Sequence, residues 1–182
     1  MKGFEEMEEL RKDWNPKNVR VRIKVLFVGE SPPKSGRFFY NRNSVLYYAT
    51  FCAFSRVFRI TEPEFLEFFQ KSGCYLYDVL KVPRQKITDV DKSTLNQAKE
   101  DLKNFIRNTR PDVVIVIHKT RVYKRIKEVL SQLKKEGIIK SFYSLPFPTT
   151  GRPKGYSTTN FNRYVEGLCD ILNELSQTYL RH

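Results

Sequence analysis

Apolar residues recur along the chain in two rhythms, a helical one with spacings of three and four and a short continuous one that ends at glycine or at a polar residue. Phe4, Met7 and Leu10 have the helical spacing and predict a short acidic helix ending before Asn15-Pro16, a small cap on the core. Val21–Val28 becomes continuously apolar and stops at Gly29, as a strand buried on both faces of a parallel sheet does. A Pro- and Gly-rich loop, 30–43, leads to a helix from about Ser44 to Phe58, with Val45, Tyr48, Ala49, Cys52 and Ala53 on one stripe. Thr61-Glu-Pro-Glu opens a third helix that buries Phe65, Leu66 and Phe69 and ends at Gly73.

Tyr75–Leu80 is the next strand. Leu95, Ala98, Leu102, Phe105 and Ile106 mark a helix with Ser93 or Thr94 near its cap, and Asp112–Ile117 is the clearest strand in the chain. His118-Lys119-Thr120 turns into a helix carrying Val122, Ile126, Val129, Leu130 and Leu133, stopped by Gly137. A short strand from Ile138 or Ser141 to Leu145, a loop 146–159 and a closing helix with Phe161, Tyr164, Val165, Leu168, Ile171, Leu172 and Leu175 complete the order.

Strands alternating with helices predict an α/β fold, a three-layer α/β/α arrangement with a four-stranded parallel sheet in one domain of 1–182: a helical cap over 1–16 and a core over 21–175. Ligands of such sheets bind beyond the carboxyl ends of the strands, so loops 29–43, 81–91, 118–121 and 146–159 are the expected site.

Charge narrows the function. Thirty-three Lys and Arg face 20 Asp and Glu, a net +13, and the acids Glu5, Glu6, Glu8, Glu9 and Asp13 make the first helix the exception, so the body is cationic. A cationic body attracts phosphates through counterion release, which makes nucleic acid, and DNA in particular, the leading partner, with a solvated basic exterior as the alternative. No apolar run reaches the ~18 residues of a membrane helix, so no membrane partner is expected, and a cytoplasmic, nucleoid-associated monomer is. Cys52, Cys74 and Cys169 form no CxxC pair, and His118 and His182 are the only histidines. No metal and no cofactor is therefore expected.

The loops carry the candidate chemistry. Glu30, at the tip of the first strand, suits a residue that orients or deprotonates a water, and Asn43 one that holds a water or a base amide, unless it caps the next helix. Phe38, Phe39 and Tyr40 either stack on a nucleobase or plug the loop onto the core. Lys34, Arg37 and Arg42 could meet phosphates. Asp78 is a second carboxylate in the cleft or a turn acid paired with a base, near Lys81 and Arg84. His118, Lys119 and Arg121 sit at a helix start, where amides suit a phosphate. Pro148, Thr149, Thr150, Gly151, Arg152 and Lys154 lie in a loop longer than the usual ~4–6 residues.

Taken in order, these stretches resemble the motifs of the uracil-DNA glycosylase superfamily. Gly29-Glu-Ser-Pro-Pro33 is similar to the first motif, close to its GEAPG form, and Asn41-Arg-Asn43 resembles the PRNxFW segment of the hypoxanthine and mismatch-specific branches. Leu76-Tyr-Asp-Val-Leu80 is similar to the LWDVL strand of those branches or to the TNVVK strand of the GEAPG branch, and Val114–Tyr123 to the strand and helix that follow it. Leu145-Pro-Phe-Pro-Thr-Thr150 stands where the second active motif belongs, without the histidine of HPSP-type members, and the cluster cysteines of the GEAPG branch are missing.

The resemblance implies a uracil-DNA glycosylase-like fold and a metal-independent hydrolase of base excision repair. Such an enzyme flips a damaged or deaminated base (uracil, hypoxanthine or xanthine) from double- or single-stranded DNA and hydrolyses its N-glycosidic bond. It implies Glu30 or Asn43 for the water, Phe38, Phe39 or Tyr40 stacked on the base, Asn43 or Asp78 at its edge, and Pro148–Arg152 pressed into DNA with Arg152 as a wedge. Thr149, Thr150, loop amides or Arg152 would stabilise the departing anion. The alternatives are a noncatalytic nucleic-acid-binding module on the same fold and an enzyme of free nucleosides or nucleotides.

Overall fold

Successive side chains of the first strand, β1 (Val25–Gly29), leave in opposite directions, and each set enters its own core: Val25 and Phe27 on one face, Leu26 and Val28 on the other. The computed structural model describes residues 2–33, 36–83, 85–118, 121–151, 155 and 157–177. Beside β1 run β2 (Cys74–Asp78), β3 (Val113–His118) and β4 (Ser141–Pro146), all parallel and in the order β2-β1-β3-β4. Val25 lies opposite Cys74 on one side and Val113 on the other, and Gly29 opposite Asp78.

The helices are α1 (Lys2–Asp13), α2 (Val45–Phe58), α3 (Glu62–Lys71), α4 (Lys92–Thr109), α5 (Val122–Lys135) and α6 (Asn160–Ser176). One face of the sheet is covered by α2, α3 and α6, with Met7 of α1 joining the same core. The other is covered by α4 and α5 through Leu102, Ile106, Ile126 and Leu130. This is the expected α/β/α arrangement. The first core is rich in rings: Phe69 sits 5.3 Å from Phe27, 5.2 Å from Phe39 and 5.6 Å from Phe54, centroid to centroid. Each ring so buried contributes roughly 1.5–3 kcal/mol. No described helix is long and apolar enough to cross a membrane.

Local chemistry explains where the elements begin, and corrects four expectations. Ser44, not Asn43, caps α2, its side chain accepting from Tyr47 N. The buried stripe of α2 is Leu46, Tyr47, Ala49, Thr50, Ala53 and Phe54; Val45 and Tyr48 are exposed. The helix is rotated by about one residue from the expected face; residues 45–54 are apolar nearly all round, so their spacing allows either face and packing selects this one. Asp91, rather than Ser93 or Thr94, caps α4 by accepting from Thr94 N. β2 ends at Asp78, and the next two amides, of Val79 and Leu80, are donated to the carbonyls of Gly29 and Glu30.

From β1 the chain passes to β2 on one side and later returns to β3 on the other, so the loops leaving β1 and β3 diverge. A crevice opens at such a reversal, beyond the carboxyl ends of the central strands.

Candidate functional site

A cavity of about 650 Å³ occupies that crevice. Its walls are Gly29–Pro33 with Arg37, Phe38 and Phe39 from the loop after β1, Ser44 and Leu46 at the start of α2, and Leu76 and Asp78 of β2. Gln85 and Lys86 follow β2, Ile117 ends β3, and Phe147 follows β4. Of the residues expected from sequence, the structure brings Glu30, Arg37, Phe38, Phe39 and Asp78 together here.

The half-buried carboxylate of Glu30 accepts a hydrogen bond through Oε1 from Ile87 N at 2.8 Å. One wall is thereby fixed, since Ile87 is itself buried.

Asp78 is buried, and its Oδ2 accepts from Arg11 Nη2 at 2.5 Å. Arg11 comes from α1, is only 3% exposed, lies 3.3 Å from the Glu8 carboxylate and holds its guanidinium 5.2 Å from the Phe38 ring centre. Of the two readings open for Asp78, pairing with a base is therefore real, though the base is Arg11 and not Lys81. The other oxygen, Oδ1, lies against Gly29, where an added Cβ would collide with it. Glycine at the end of β1 is thus a requirement of close approach.

Lys81 is an exposed residue, but its ammonium sits 3.5 Å from the Tyr77 ring centre and donates to the Asp78 carbonyl at 2.7 Å. Loss of water around the ammonium and the nearby Arg11 charge lower its pKa to about 8, against an opposing pull from Asp78.

The aromatic triplet resolves unequally. All three rings are buried in the core, so the plug reading holds for each of them, and Phe38 and Phe39 also line the cavity. Tyr40 does not line it. Its hydroxyl accepts from Leu76 N at 2.9 Å, satisfying an amide on the outer edge of β2, and burial pushes its phenol far above the usual range.

Asn43 is not among the lining residues either. Its Oδ1 accepts from Phe38 N at 2.9 Å and its Nδ2 donates to Gly36 O at 3.3 Å, so the amide closes the loop that carries Phe38. Arg42 beside it is exposed and left-handed, with φ of 59°.

His118 does not line the cavity: it is the half-buried last residue of β3, next to the lining Ile117, its carbonyl accepting from Phe147 N at 2.9 Å. Burial and the Arg163 charge hold its imidazole below the ordinary range. Arg121 is exposed at the start of α5. Pro148 is buried. Thr149 N donates to Phe147 O at 2.8 Å and Thr149 Oγ1 accepts from Asn160 Nδ2 at 3.3 Å, so this amide serves the loop and not an anion. Thr150 and Gly151 are exposed, and Gly151 O accepts from Asn160 N. Lys34, Arg84, Lys119, Arg152 and Lys154 lie outside the described residues.

Sequence reasoning missed Arg11, Ser44, Gln85, Lys86, Ile117 and Phe147. The signal for Arg11 was its position one helical turn after Met7, a base on the apolar stripe of a cap helix. Among the described residues no cluster of three metal-ligating side chains occurs. Arg37 and Lys86 are exposed side chains that also line the cavity, so its rim carries positive charge above a floor of rings and two carboxylates. Such a chamber suits a flat, polar ligand attached to an anion. Comparison of the chain with protein-family models gives no match, and comparison with curated proteins gives none either.

Proposed function

We propose that the protein is a DNA glycosylase of the uracil-DNA glycosylase type, acting on a deaminated base. One observation carries the reading: four of the five stretches that resemble the motifs of that superfamily line a single cavity at the strand reversal, through Gly29–Pro33, Leu76 and Asp78, Ile117 and Phe147, while the fifth, Asn41–Asn43, closes the loop that carries Phe38 into it. A volume of about 650 Å³ lies within the ~300–1,000 Å³ of small-ligand sites and accommodates a base with its sugar.

In this reading Arg37 and Lys86 at the rim meet the phosphates on either side of a flipped nucleotide, and the base enters beside Phe38 and Phe39. Glu30 orients a water towards C1′ of the sugar. The water oxygen bonds to C1′ as the bond from C1′ to the base nitrogen breaks; the water proton passes to the carboxylate, and the base departs as an anion that takes its proton from solvent. The sugar carries oxocarbenium character and the base negative charge on the way, so rim cations and a fixed carboxylate both act on developing charge.

Duplexes carrying one uracil, hypoxanthine or xanthine each, assayed for alkali-sensitive sites, test it. At least one is expected to be cut, and Glu30→Gln is expected to slow that reaction by roughly 10²–10⁴. Absence of abasic product from every duplex, while the folded protein binds the same DNA, overturns it.

A further inference from the structure

The buried pair at the cavity floor goes beyond the activity just proposed. Asp78 reaches the cavity wall, yet one of its oxygens is committed to a guanidinium from the first helix, 67 residues earlier. Arg11 covers Phe38 as well, so one side chain of α1 touches two lining residues. Among the described residues Asp78 Oδ1 accepts no hydrogen bond, although the residue is 5% exposed and Oδ1 lies beside Gly29, another lining residue. The buried side-chain atoms without a hydrogen-bond partner among the described residues are Glu8 Oε1 and Arg11 Nε, not this oxygen; Oδ1 is open, on a residue that lines the cavity, where a ligand donor can reach it.

We infer that Arg11 is a positioning residue that sets the specificity of the cavity. By holding Asp78 Oδ2, it presents Oδ1 as a fixed acceptor, so the cavity selects planar heterocycles that offer a ring N–H or an amino group to that oxygen. The inference rests on reading the cavity as a base pocket. It adds that α1 is part of the site, and that the recognised class is bases with a donor on the edge facing Asp78. A base methylated at that nitrogen leaves Oδ1 unpaired and adds a methyl against Gly29. Sites built around a hydrogen bond discriminate strongly against partners that lack it.

The test uses the full chain and duplexes whose target nucleotide carries a 2′-fluorinated arabinose, which slows bond cleavage so that binding is read alone. Uracil is compared with N3-methyluracil and hypoxanthine with N1-methylhypoxanthine; a duplex with a stable abasic analogue reports DNA contact without a base. Wild type is expected to bind the N–H base at least tenfold more tightly than its N-methyl form. Arg11→Met is expected to bring that ratio close to one with little change towards the abasic duplex, and Arg11→Lys to restore part of it. Equal binding of the two forms by wild type, or an unchanged ratio in folded Arg11→Met, overturns the inference. Should Arg11→Met not fold, Asp78→Asn decides, since an unchanged ratio there overturns it equally. Uncleavable and cleavable duplexes separate the two claims. Selective binding without cleavage removes the glycosylase and leaves the specificity; cleavage without selectivity does the reverse; loss of both removes both.

Discussion

Glu30 Oε1 accepts the backbone amide of Ile87 at 2.8 Å, so the residue that follows the first strand also holds the loop that follows the second. A group with both a bonding and a chemical duty can be dissected by the choice of replacement. Gln retains an acceptor for Ile87 N; Glu30→Gln is therefore expected to melt within about 0.5 kcal/mol of wild type while losing the reaction. Glu30→Ala gives up the bond too and should cost about 1–2 kcal/mol. Asn43→Ala is expected to cost about 1 kcal/mol through the opened Phe38 loop and to slow the reaction far less than Glu30→Gln. Urea melts and single-turnover rates of the three variants check this, and a slower Asn43→Ala than Glu30→Gln would reverse the roles.

Arg42 is expected to show opposite signs in stability and binding. Its φ of 59° is readily adopted by glycine, so Arg42→Gly should leave the fold as stable or stabilise it by up to about 1 kcal/mol. If the exposed guanidinium meets a phosphate, the same change weakens DNA binding and lowers the slope of log affinity against log salt by about one. Melting and a salt titration are the two measurements; an unchanged slope assigns Arg42 to the solvated surface.

Gly29 and Asp78 are in contact through Oδ1, and the contact predicts a coupling. Gly29→Ala should cost about 1–3 kcal/mol by overpacking. In a background carrying Arg11→Met and Asp78→Ala, where the carboxylate is gone, the added cost should fall below about 1 kcal/mol. Equal costs in the two backgrounds would show that the glycine serves the backbone alone.

Alkali is expected to unfold the protein through its tyrosines. Burial pushes the phenols of Tyr75 and Tyr77 up to about 12, and those of Tyr40 and Tyr164 further. The unfolded chain ionises near 10, so it releases protons first and stability falls as pH rises from there. Each fully buried tyrosine adds a slope of about 1.4 kcal/mol per pH unit between about pH 10 and 12. Tyr164→Phe should remove one such slope, and at neutral pH cost about 1 kcal/mol for its 2.8 Å bond to Thr50. Urea melts at about pH 8, 10 and 11 test both parts, and a slope unaltered by Tyr164→Phe would refute the assignment.

The parallel sheet was legible because strands buried on both faces leave continuous apolar runs, as in Val25–Val28 and Val113–Ile117. The site was legible as loops rather than as residues. Glu30 and Asp78 could be named because a carboxylate at a strand tip is unusual. What α1 contributes could not, because Arg11 reads as one more charge in a charged helix until Asp78 is seen beside it. Asn43 misled for a related reason: an amide that closes a turn and an amide that holds a water have the same spelling, and only the partners Phe38 N and Gly36 O tell them apart. The face of α2 was not legible because residues 45–54 are apolar nearly all round, so spacing alone does not choose between Val45 with Tyr48 and Leu46 with Tyr47.

The pairing of β1 with Cys74 on one side and Val113 on the other bears on the order in which the molecule assembles. Parallel partners so distant along the chain meet slowly, because the loop between them must be closed before any ladder bond rewards it. A chain grown as far as β2 already holds Glu30, Phe38 and Asp78, but Ile117 and Phe147 arrive only with β3 and the segment after β4. Until then one edge of β1 is open and vulnerable to wrong partners. The chamber is thus a late product of folding, and a ligand that requires all its walls can reward only the finished chain, not its intermediates.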